Sequence, residues 1–170
     1  MTSTIYREER PVSAQEFEYA VAQARKSASE GGVPIGAALV VDGTVVGVGH
    51  NQRVQMASAI RHGEMDCLEN AGRLQPADYR RATMYTTTSP CQMCAGTILM
   101  YGIPRVVIGE SRHFCENEEY LRSKGVEVLV LDDPECYQLL ETFIATRPDI
   151  WAEDIAEDVD KIDTRRGDLV

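Results

Sequence analysis

Two short stretches of the sequence place residues that bind metals beside a residue that moves protons. The first is His62-Gly-Glu64, and the second is Cys91-Gln-Met-Cys94, which directly follows a proline. One imidazole and two thiolates form a ligand set that suits Zn²⁺. Three protein ligands leave the fourth tetrahedral position to water, as in a catalytic rather than a structural zinc site. The sequence therefore predicts a zinc centre held by His62, Cys91 and Cys94.

Glu64 lies two residues after the predicted histidine ligand. Zinc lowers the pKa of a bound water to about 7, which makes hydroxide available at neutral pH. A carboxylate within reach can take the water's proton and pass it to a substrate. Glu64 is therefore the predicted catalytic residue.

Each half of this pattern has another explanation when it is taken alone. A Cys-x-x-Cys pair in an α/β protein also occurs as a redox site of the thioredoxin kind, and a lone histidine is more often a loop or surface residue. A non-catalytic zinc-binding or redox module is thus the alternative from another class. Such a module has no use for a proton shuttle, so the presence of Glu64 favours the enzyme.

Two helix starts are expected to present these residues. One helix is predicted from Glu64 to Asn70. A second is predicted to begin at Ser89 as N-cap, with Pro90 at the first helical position and Gln92 completing a capping box. At a spacing of three, both thiols project from one face of the first turn, where the helix N-terminus lowers a thiol pKa.

The remaining pattern predicts one layered α/β domain. Ser13 and Glu16 form a capping box ahead of an amphipathic helix, and Asp42-Gly43 joins the runs Ile35–Val41 and Thr44–Val48 as a hairpin. Later strands are predicted at 82–87, 105–109 and 126–131, and later helices at 116–124, 134–146 and 149–158. This order predicts a mixed five-stranded sheet with an antiparallel hairpin followed by parallel strands. The domain is expected over residues 14–158, between an N-terminal segment 1–13 and an acidic tail 159–170.

Composition narrows the possible partners and location. The 170 residues carry a net charge of −10 and no cluster of basic residues, which disfavours a polynucleotide substrate. No apolar run approaches the roughly 18 to 20 residues that a membrane span needs, and the start lacks a signal-peptide pattern. The cysteine count of five is odd and three of the cysteines are scattered, which suits a reducing compartment, so a cytoplasmic location is expected. Cys67, Cys115 and Cys136 are expected to be packing thiols, and His50 and His113 structural or surface residues.

At the predicted metal site the sequence resembles the cytidine/deoxycytidylate deaminase superfamily, and within it the fungal-type cytosine deaminases. His-x-Glu followed by Pro-Cys-x-x-Cys is the signature of zinc nucleobase deaminases. The likeness also includes residues 30–36, 49–51, 68–70, 72–74, 85–87, 100–105 and 151–155, and spans about residues 14–155. It implies a three-layer α/β/α fold, one zinc ion per subunit, a homodimer, and hydrolysis of free cytosine to uracil and ammonia in pyrimidine salvage.

The resemblance also implies a set of substrate contacts. Asn51 is expected at the ring edge, the Gly63 amide at the carbonyl, Ser89 beside the base, Phe114 and Trp151 as walls, and Asp154 near the leaving amino group and His62. Aromatic walls leave little room for ribose, which favours a free base. The alternatives are the same chemistry on guanine, a modified pyrimidine or a nucleoside, and a tRNA adenosine deaminase, against which the charge counts.

Several segments depart from the fungal-type pattern. They are residues 57–61, Met65-Asp-Cys67, Thr88, the loop 111–117 apart from Phe114, and the acidic extension 156–170. None of them changes the predicted metal chemistry. They concern instead the prediction of which heterocyclic ring is the substrate.

Overall fold

The computed structural model describes residues 11–161. Most of the predicted N-terminal segment 1–13 and most of the predicted tail 159–170 lie outside the described residues. The elements follow in chain order: α1 (Ala14–Ser29), β1 (Gly36–Val41), β2 (Thr44–His50), α2 (Arg53–Met56), α3 (Gly63–Ala71), α4 (Pro76–Tyr79), β3 (Ala82–Thr88), α5 (Gln92–Tyr101), β4 (Arg105–Glu110), α6 (Glu118–Ser123), β5 (Glu127–Val130), α7 (Pro134–Thr146) and α8 (Pro148–Asp154).

The five strands form one mixed sheet in the order β2-β1-β3-β4-β5. β1 pairs antiparallel with both β2 and β3, whereas β3, β4 and β5 run parallel. Asp42 and Gly43 both have positive φ, at 49° and 80°, as the tight turn of a two-residue hairpin requires. The predicted mixed five-stranded sheet and its hairpin are confirmed.

Helices cover both faces of the sheet. Successive strand residues point to opposite faces, so Leu39 packs on one side and Val40 on the other. The Leu39 side meets residues of α3, α5 and α6, namely Cys67, Leu68, Ala95, Ile98 and Leu121. The Val40 side meets α1 and α7 through Phe17, Ala20, Val21 and Cys136. This arrangement is the predicted three-layer α/β/α architecture.

Helix α3 lies unusually close to β2. A Cβ atom added to Gly49 would come within 2.2 Å of the backbone nitrogen of Cys67. Any side chain at this position would therefore push α3 away from the sheet. The predicted ligand His62 and the predicted proton carrier Glu64 lie at the start of α3, so Gly49 helps to set their position.

Some details of the helices differ from the sequence-based predictions. The one-turn helices α2 and α4 were not expected, α6 is shorter than residues 116–124, and α8 ends at Asp154 rather than near 158. Ser13 Oγ accepts a hydrogen bond from Glu16 N at 3.2 Å, but the Glu16 side chain accepts one from the Tyr85 hydroxyl instead of completing the box. The reason is that the largely buried phenol of Tyr85 needs a polar partner. Within residues 11–161, every helix is too short or too polar to cross a bilayer.

Candidate active site

The three predicted metal ligands meet at two helix starts. His62 is the N-cap of α3, Cys91 is the N-cap of α5, and Cys94 lies in the first turn of α5. Their ligand atoms all lie within 4.8 Å of one another, and His62 Nδ1 lies 3.4 Å from Cys91 Sγ. One nitrogen and two sulfur donors converging at this distance fit a tetrahedral zinc ion with one open position.

The predicted cap of α5 was wrong. The helix begins at Gln92, so Pro90 precedes the N-cap and Ser89 lies outside the helix. The Ser89 N–H donates to the carbonyl of Glu110 at 3.2 Å, which continues the pairing of β3 with β4. Sheet pairing therefore holds Ser89 in the extended chain and prevents it from capping the helix.

The charges at this site favour metal ligation. Hydrogen bonding from Cys94 and from His62 lowers the pKa of Cys91 to about 4, although burial of the thiol opposes this. The pKa of Cys94 is raised because its thiol donates a hydrogen bond to Cys91 and because it is buried. Burial disfavours the charged form of His62, but the contacts with Cys91 and Asp154 raise its pKa to about 9. Zinc binding requires a neutral imidazole and thiolates, so the metal would displace the protons held here.

Asp154 supports the histidine ligand from behind. Asp154 Oδ1 lies 3.7 Å from His62 Nε2, the ring nitrogen that faces away from Cys91. The same oxygen accepts hydrogen bonds from Asn51 Nδ2 at 2.7 Å and from Arg53 Nη1 at 3.4 Å. A carboxylate beside the second nitrogen of a histidine ligand fixes the orientation of the ring.

Glu64 is buried beside the ligands and held by a hydroxyl group. Thr86 Oγ1 donates to Glu64 Oε1 at 2.9 Å, while Glu64 Oε2 lies 3.4 Å from Cys94 Sγ. The side chain is almost inaccessible, and this burial raises the pKa of Glu64. A carboxyl group with a raised pKa can both take and return a proton near neutral pH.

A small cleft opens onto these residues. Its empty volume, including space open to solvent, is about 310 Å³. Its lining combines aromatic and aliphatic side chains with polar groups. The lining residues are Ile35, His62, Glu64, Thr88, Ser89, Cys91, Phe114, Trp151, Asp154 and Ile155.

The predicted substrate-contact residues divide into two groups. Ser89, Phe114, Trp151 and Asp154 line the cleft, whereas Asn51 and Gly63 are not among its lining residues. Asn51 is buried behind Asp154, and its Oδ1 also accepts a hydrogen bond from the backbone of Arg53 at 3.0 Å.

Ser89 and Gly63 each have a local feature that suits ligand binding. Ser89 Oγ is buried and has no hydrogen-bond partner among residues 11–161. The structure therefore leaves this hydroxyl available to a ligand in the cleft. Gly63 is the first residue of α3, where N–H groups have no partner within the helix. A Cβ atom here would lie 3.1 Å from the Ile35 carbonyl oxygen, so glycine allows the cleft wall to approach.

Sequence reasoning missed several residues of the site. Thr86, which holds Glu64, is a polar residue in a strand whose residues are all buried. A polar residue at a buried position was the signal that could have indicated its role. Arg53 reaches Asp154 from a distant part of the chain, and no local pattern indicated it. Ile35 and Ile155 complete the apolar walls.

Two of the departures from the fungal-type pattern form one ion pair. Arg61 Nε lies 2.7 Å from Asp66 Oδ1, which joins the segment before His62 to the helix after Glu64. Asp66 Oδ2 also accepts the backbone N–H of His50 at 3.0 Å. The pair therefore braces the start of α3 on both sides of its functional residues.

The other cysteines and histidines mostly match expectation. Cys67 and Cys136 are buried packing thiols, as predicted, but Cys115 is exposed and that prediction was wrong. Cys115 lies in the surface loop before α6, where no core reaches it. His50 is a buried structural residue between Gln23 and Glu30, with contacts of 3.0 and 2.8 Å.

Comparison with known proteins agrees with this geometry. Residues 13–110 match the family model of the cytidine and deoxycytidylate deaminase zinc-binding region. A cytosine deaminase of Candida albicans is 54% identical over 142 residues, which cover 83% of this chain and 95% of that protein. A tRNA-specific adenosine deaminase of Streptococcus pyogenes is 36% identical over 107 residues, which cover 59% of this chain and 67% of that protein.

Solved structures share the fold. A guanine deaminase from Nitrosomonas europaea superposes with a TM-score of 0.67 at 22% identity, and the match covers 80% of this chain and 87% of that one. A chain from a study of tRNA:A34 deaminases superposes with a TM-score of 0.64 at 25% identity, covering 75% of this chain and all of that one. The chain belongs to the cytidine and deoxycytidylate deaminase family, and His62, Cys91 and Cys94 are placed to form its zinc site.

Proposed function

We propose that this protein hydrolyses free cytosine to uracil and ammonia. The single observation that carries the proposal is the buried Glu64 carboxyl beside three convergent metal ligands, in the lining of a small cleft. The relative from C. albicans, which is a cytosine deaminase and matches over nearly its whole length, supports cytosine as the substrate.

The chemistry divides between the metal and the side chains of this chain. Zinc bound by His62, Cys91 and Cys94 would supply the Lewis acidity that activates a water molecule. Glu64 takes the water's first proton and gives it to ring nitrogen N3 as the water oxygen adds to C4. It then takes the second proton from the hydroxyl at C4 and delivers it to the amino group, which leaves as ammonia while the C4 carbonyl forms. Thr86 holds Oε1 of Glu64, so that Oε2 faces the metal ligands. One cytosine and one water thereby give one uracil and one ammonia.

The remaining cleft residues are proposed to bind and orient the base. Phe114 and Trp151 stack against the ring and exclude water, since both are largely buried and line the cleft. The unpartnered hydroxyl of Ser89 and the Gly63 N–H are donors for the ring carbonyl. Asp154 faces the leaving amino group and also positions His62. Asn51 holds Asp154, and its contact with the edge of the ring stays a prediction.

The size and charge of the protein favour a free single-ring base. A small cleft with two aromatic side chains in its lining, Phe114 and Trp151, disfavours a purine or an attached ribose. A net charge of −10 opposes binding to a tRNA backbone. The tRNA-specific relatives also match a smaller part of this chain than the cytosine deaminase does.

We also propose a cytoplasmic homodimer that serves pyrimidine salvage. Large apolar side chains are exposed near α2 and at the end of α5, and they include Val54, Met56, Ile60, Met100 and Tyr101. Burial of such side chains is typical of a subunit interface. Sedimentation analysis of the purified protein is expected to give twice the mass of 18.9 kDa. A monomer at micromolar concentration would contradict the dimer.

The substrate is tested by ultraviolet absorbance assays of the zinc-loaded protein. Cytosine, cytidine, guanine and adenine are supplied separately, and a Glu64→Gln protein with bound zinc serves as the control. Turnover of cytosine alone is expected. Turnover of cytidine but not cytosine would keep the mechanism and reject the substrate, and no turnover of any of the four would reject the enzyme.

A further inference from the structure

The loop between β4 and α6 carries Phe114, one of the two aromatic walls, and a buried charged cluster holds its base. Glu110 is fully buried at the end of β4, and Glu110 Oε2 accepts the backbone N–H of Arg112 at 2.8 Å and of His113 at 3.3 Å. His113 lies directly before Phe114. Its ring stands between Glu110 and Glu141, a residue of α7.

The two carboxylates contact opposite nitrogens of the His113 ring. Nε2 lies 2.7 Å from Glu141 Oε2, and Nδ1 lies 3.2 Å from Glu110 Oε2. The second contact is an ion pair rather than an aligned hydrogen bond. Ionised carboxylates only accept hydrogen bonds, and a neutral imidazole has only one N–H. Both contacts are favourable together only when the ring is an imidazolium.

The charged cluster also reaches the cleft. Thr88, a lining residue, donates from Oγ1 to Glu110 Oε1 at 3.3 Å. At the other end of the loop, Asn117 Nδ2 donates to the carbonyl of Pro90 at 3.1 Å, next to the metal turn. Phe114 is therefore held between two anchors, one at His113 and one at Asn117.

We propose that His113, as an imidazolium between Glu110 and Glu141, is a positioning residue that holds Phe114 over the cleft. Its neutralisation loosens the wall and weakens binding of the base, without touching the groups that move protons. The identity of the base rests on the proposed function, whereas the link between His113 and the wall does not. Thr88 and His113 both lie where the sequence departs from the fungal-type pattern.

The surroundings of His113 fix the sign of its pH dependence. Besides the two carboxylates, Tyr137 of α7 stacks on the ring with centroids 4.6 Å apart. The Arg112 guanidinium lies 4.9 Å from the Tyr137 centroid and is neutralised by Asp132. Burial opposes a charge on His113, but Glu110 and Glu141 outweigh it and raise the pKa above its ordinary value. The anchor is therefore present below this raised pKa and is lost as the pH rises through it.

Two variants and one control separate positioning from folding. His113→Gln removes the charge, and Glu141→Gln removes only a partly exposed carboxylate on α7, so it preserves the loop sequence. Glu18→Gln removes a comparably exposed carboxylate that pairs with Arg25 instead. Trp151 is the only tryptophan of the chain and lines the cleft, so its fluorescence reports on the wall both with and without a ligand.

The experiment compares these zinc-loaded proteins between pH 6 and pH 9. Uracil is titrated against Trp151 fluorescence, cytosine turnover gives KM and kcat, and NMR follows the His113 resonance, which is identified by its absence in His113→Gln. We expect His113→Gln to raise KM and the uracil Kd about three- to tenfold, with kcat changed less than twofold. In the wild-type protein we expect the uracil Kd to rise as the pH passes through the pKa of His113. In Glu141→Gln this rise and the His113 titration should both move to lower pH, while Glu18→Gln should match wild type.

The proposal is overturned if His113 titrates at or below the ordinary pKa of histidine. It is also overturned if the uracil Kd and the Trp151 emission of His113→Gln both follow the wild-type pH profile. A fall in kcat at unchanged Kd also overturns it, because that result assigns His113 to catalysis. Failure of the proposed function is seen separately, as absence of cytosine turnover in the wild-type protein. The NMR titration and the ligand-free fluorescence still decide the role of His113 in that case.

Discussion

Replacing Glu64 by glutamine is the sharpest perturbation of the proton path. The two side chains have the same shape, and the amide oxygen of glutamine can still accept the Thr86 hydroxyl, which lies 2.9 Å from Glu64 Oε1. Glutamine cannot take up or release a proton near neutral pH. The variant therefore removes the chemistry and keeps the packing.

The size of the loss follows from the groups that remain. A positioned acid or base contributes about 10²–10⁴ in rate. Asp154 is the other carboxyl that lines the cleft, but Asn51 and Arg53 occupy it and it lies beside His62 rather than Cys94. Because no second proton carrier is placed to substitute, we expect the upper end, a fall in kcat of about 10⁴, or about 5.5 kcal/mol.

Stability is expected to change in the opposite direction. Burial raises the pKa of Glu64, so the folded protein binds this proton more tightly than the unfolded chain does. The folded state consequently loses stability as the pH rises above the ordinary pKa of glutamate. The neutral glutamine avoids this cost, and zinc-free Glu64→Gln should be at least as resistant to urea as zinc-free wild type at pH 7.

Three measurements on the same preparations decide the matter. They are zinc content, the rate of cytosine loss by absorbance, and the urea midpoint of the zinc-free forms. Full zinc occupancy with a kcat near the wild-type value would refute the assignment of Glu64. A marked loss of stability would refute the claim that its burial serves catalysis at the expense of folding.

Three further predictions concern the ligands, Ser89 and the brace on α3. Cys94→Ala is expected to lose bound zinc and activity together, because two protein ligands do not hold the ion. The control Cys115→Ser, at an exposed thiol, should retain its zinc, measured by elemental analysis, and its activity. A zinc-replete Cys94→Ala protein would count against the site. Ser89→Ala should raise KM about three- to tenfold. It should leave the urea midpoint unchanged, because the Ser89 hydroxyl has no partner within residues 11–161. A loss of about 1 kcal/mol in stability would instead indicate a helix cap. Arg61→Leu should destabilise the protein by roughly 1–3 kcal/mol, because it leaves Asp66 buried without its cation. Adding Asp66→Ser to this variant should recover much of the lost stability. Simple additivity of the two effects in this double-mutant cycle would show that the residues are not coupled.

The parts of the fold that local patterns determine were predictable from the sequence. Helix α7 occupies 134–146 as expected, because Asp133 and Pro134 supply a cap and a first residue that start a helix. Asp42-Gly43 determined the hairpin in the same way. The metal ligands were found for a different reason, since zinc chemistry restricts both the residue types and their spacing.

The features that depend on distant contacts were missed. Ser89 and Pro90 carry the local pattern of a helix cap, but the hydrogen bond to Glu110 holds Ser89 in the extended chain after β3. Thr86, Arg53 and the cluster around His113 act through partners far away in the sequence. Local propensity cannot reveal such contacts, so the sequence identified the metal centre more completely than the cleft that selects the ring.

Hydrolysis of cytosine in water enriched with ¹⁸O tests the central claim most directly. The zinc-loaded protein is incubated with cytosine, and mass spectrometry of the product is combined with an ammonia assay. Uracil carrying one ¹⁸O atom, with one ammonia released for each uracil formed, is the predicted result. Recovery of unchanged cytosine from a protein with full zinc occupancy would contradict the account.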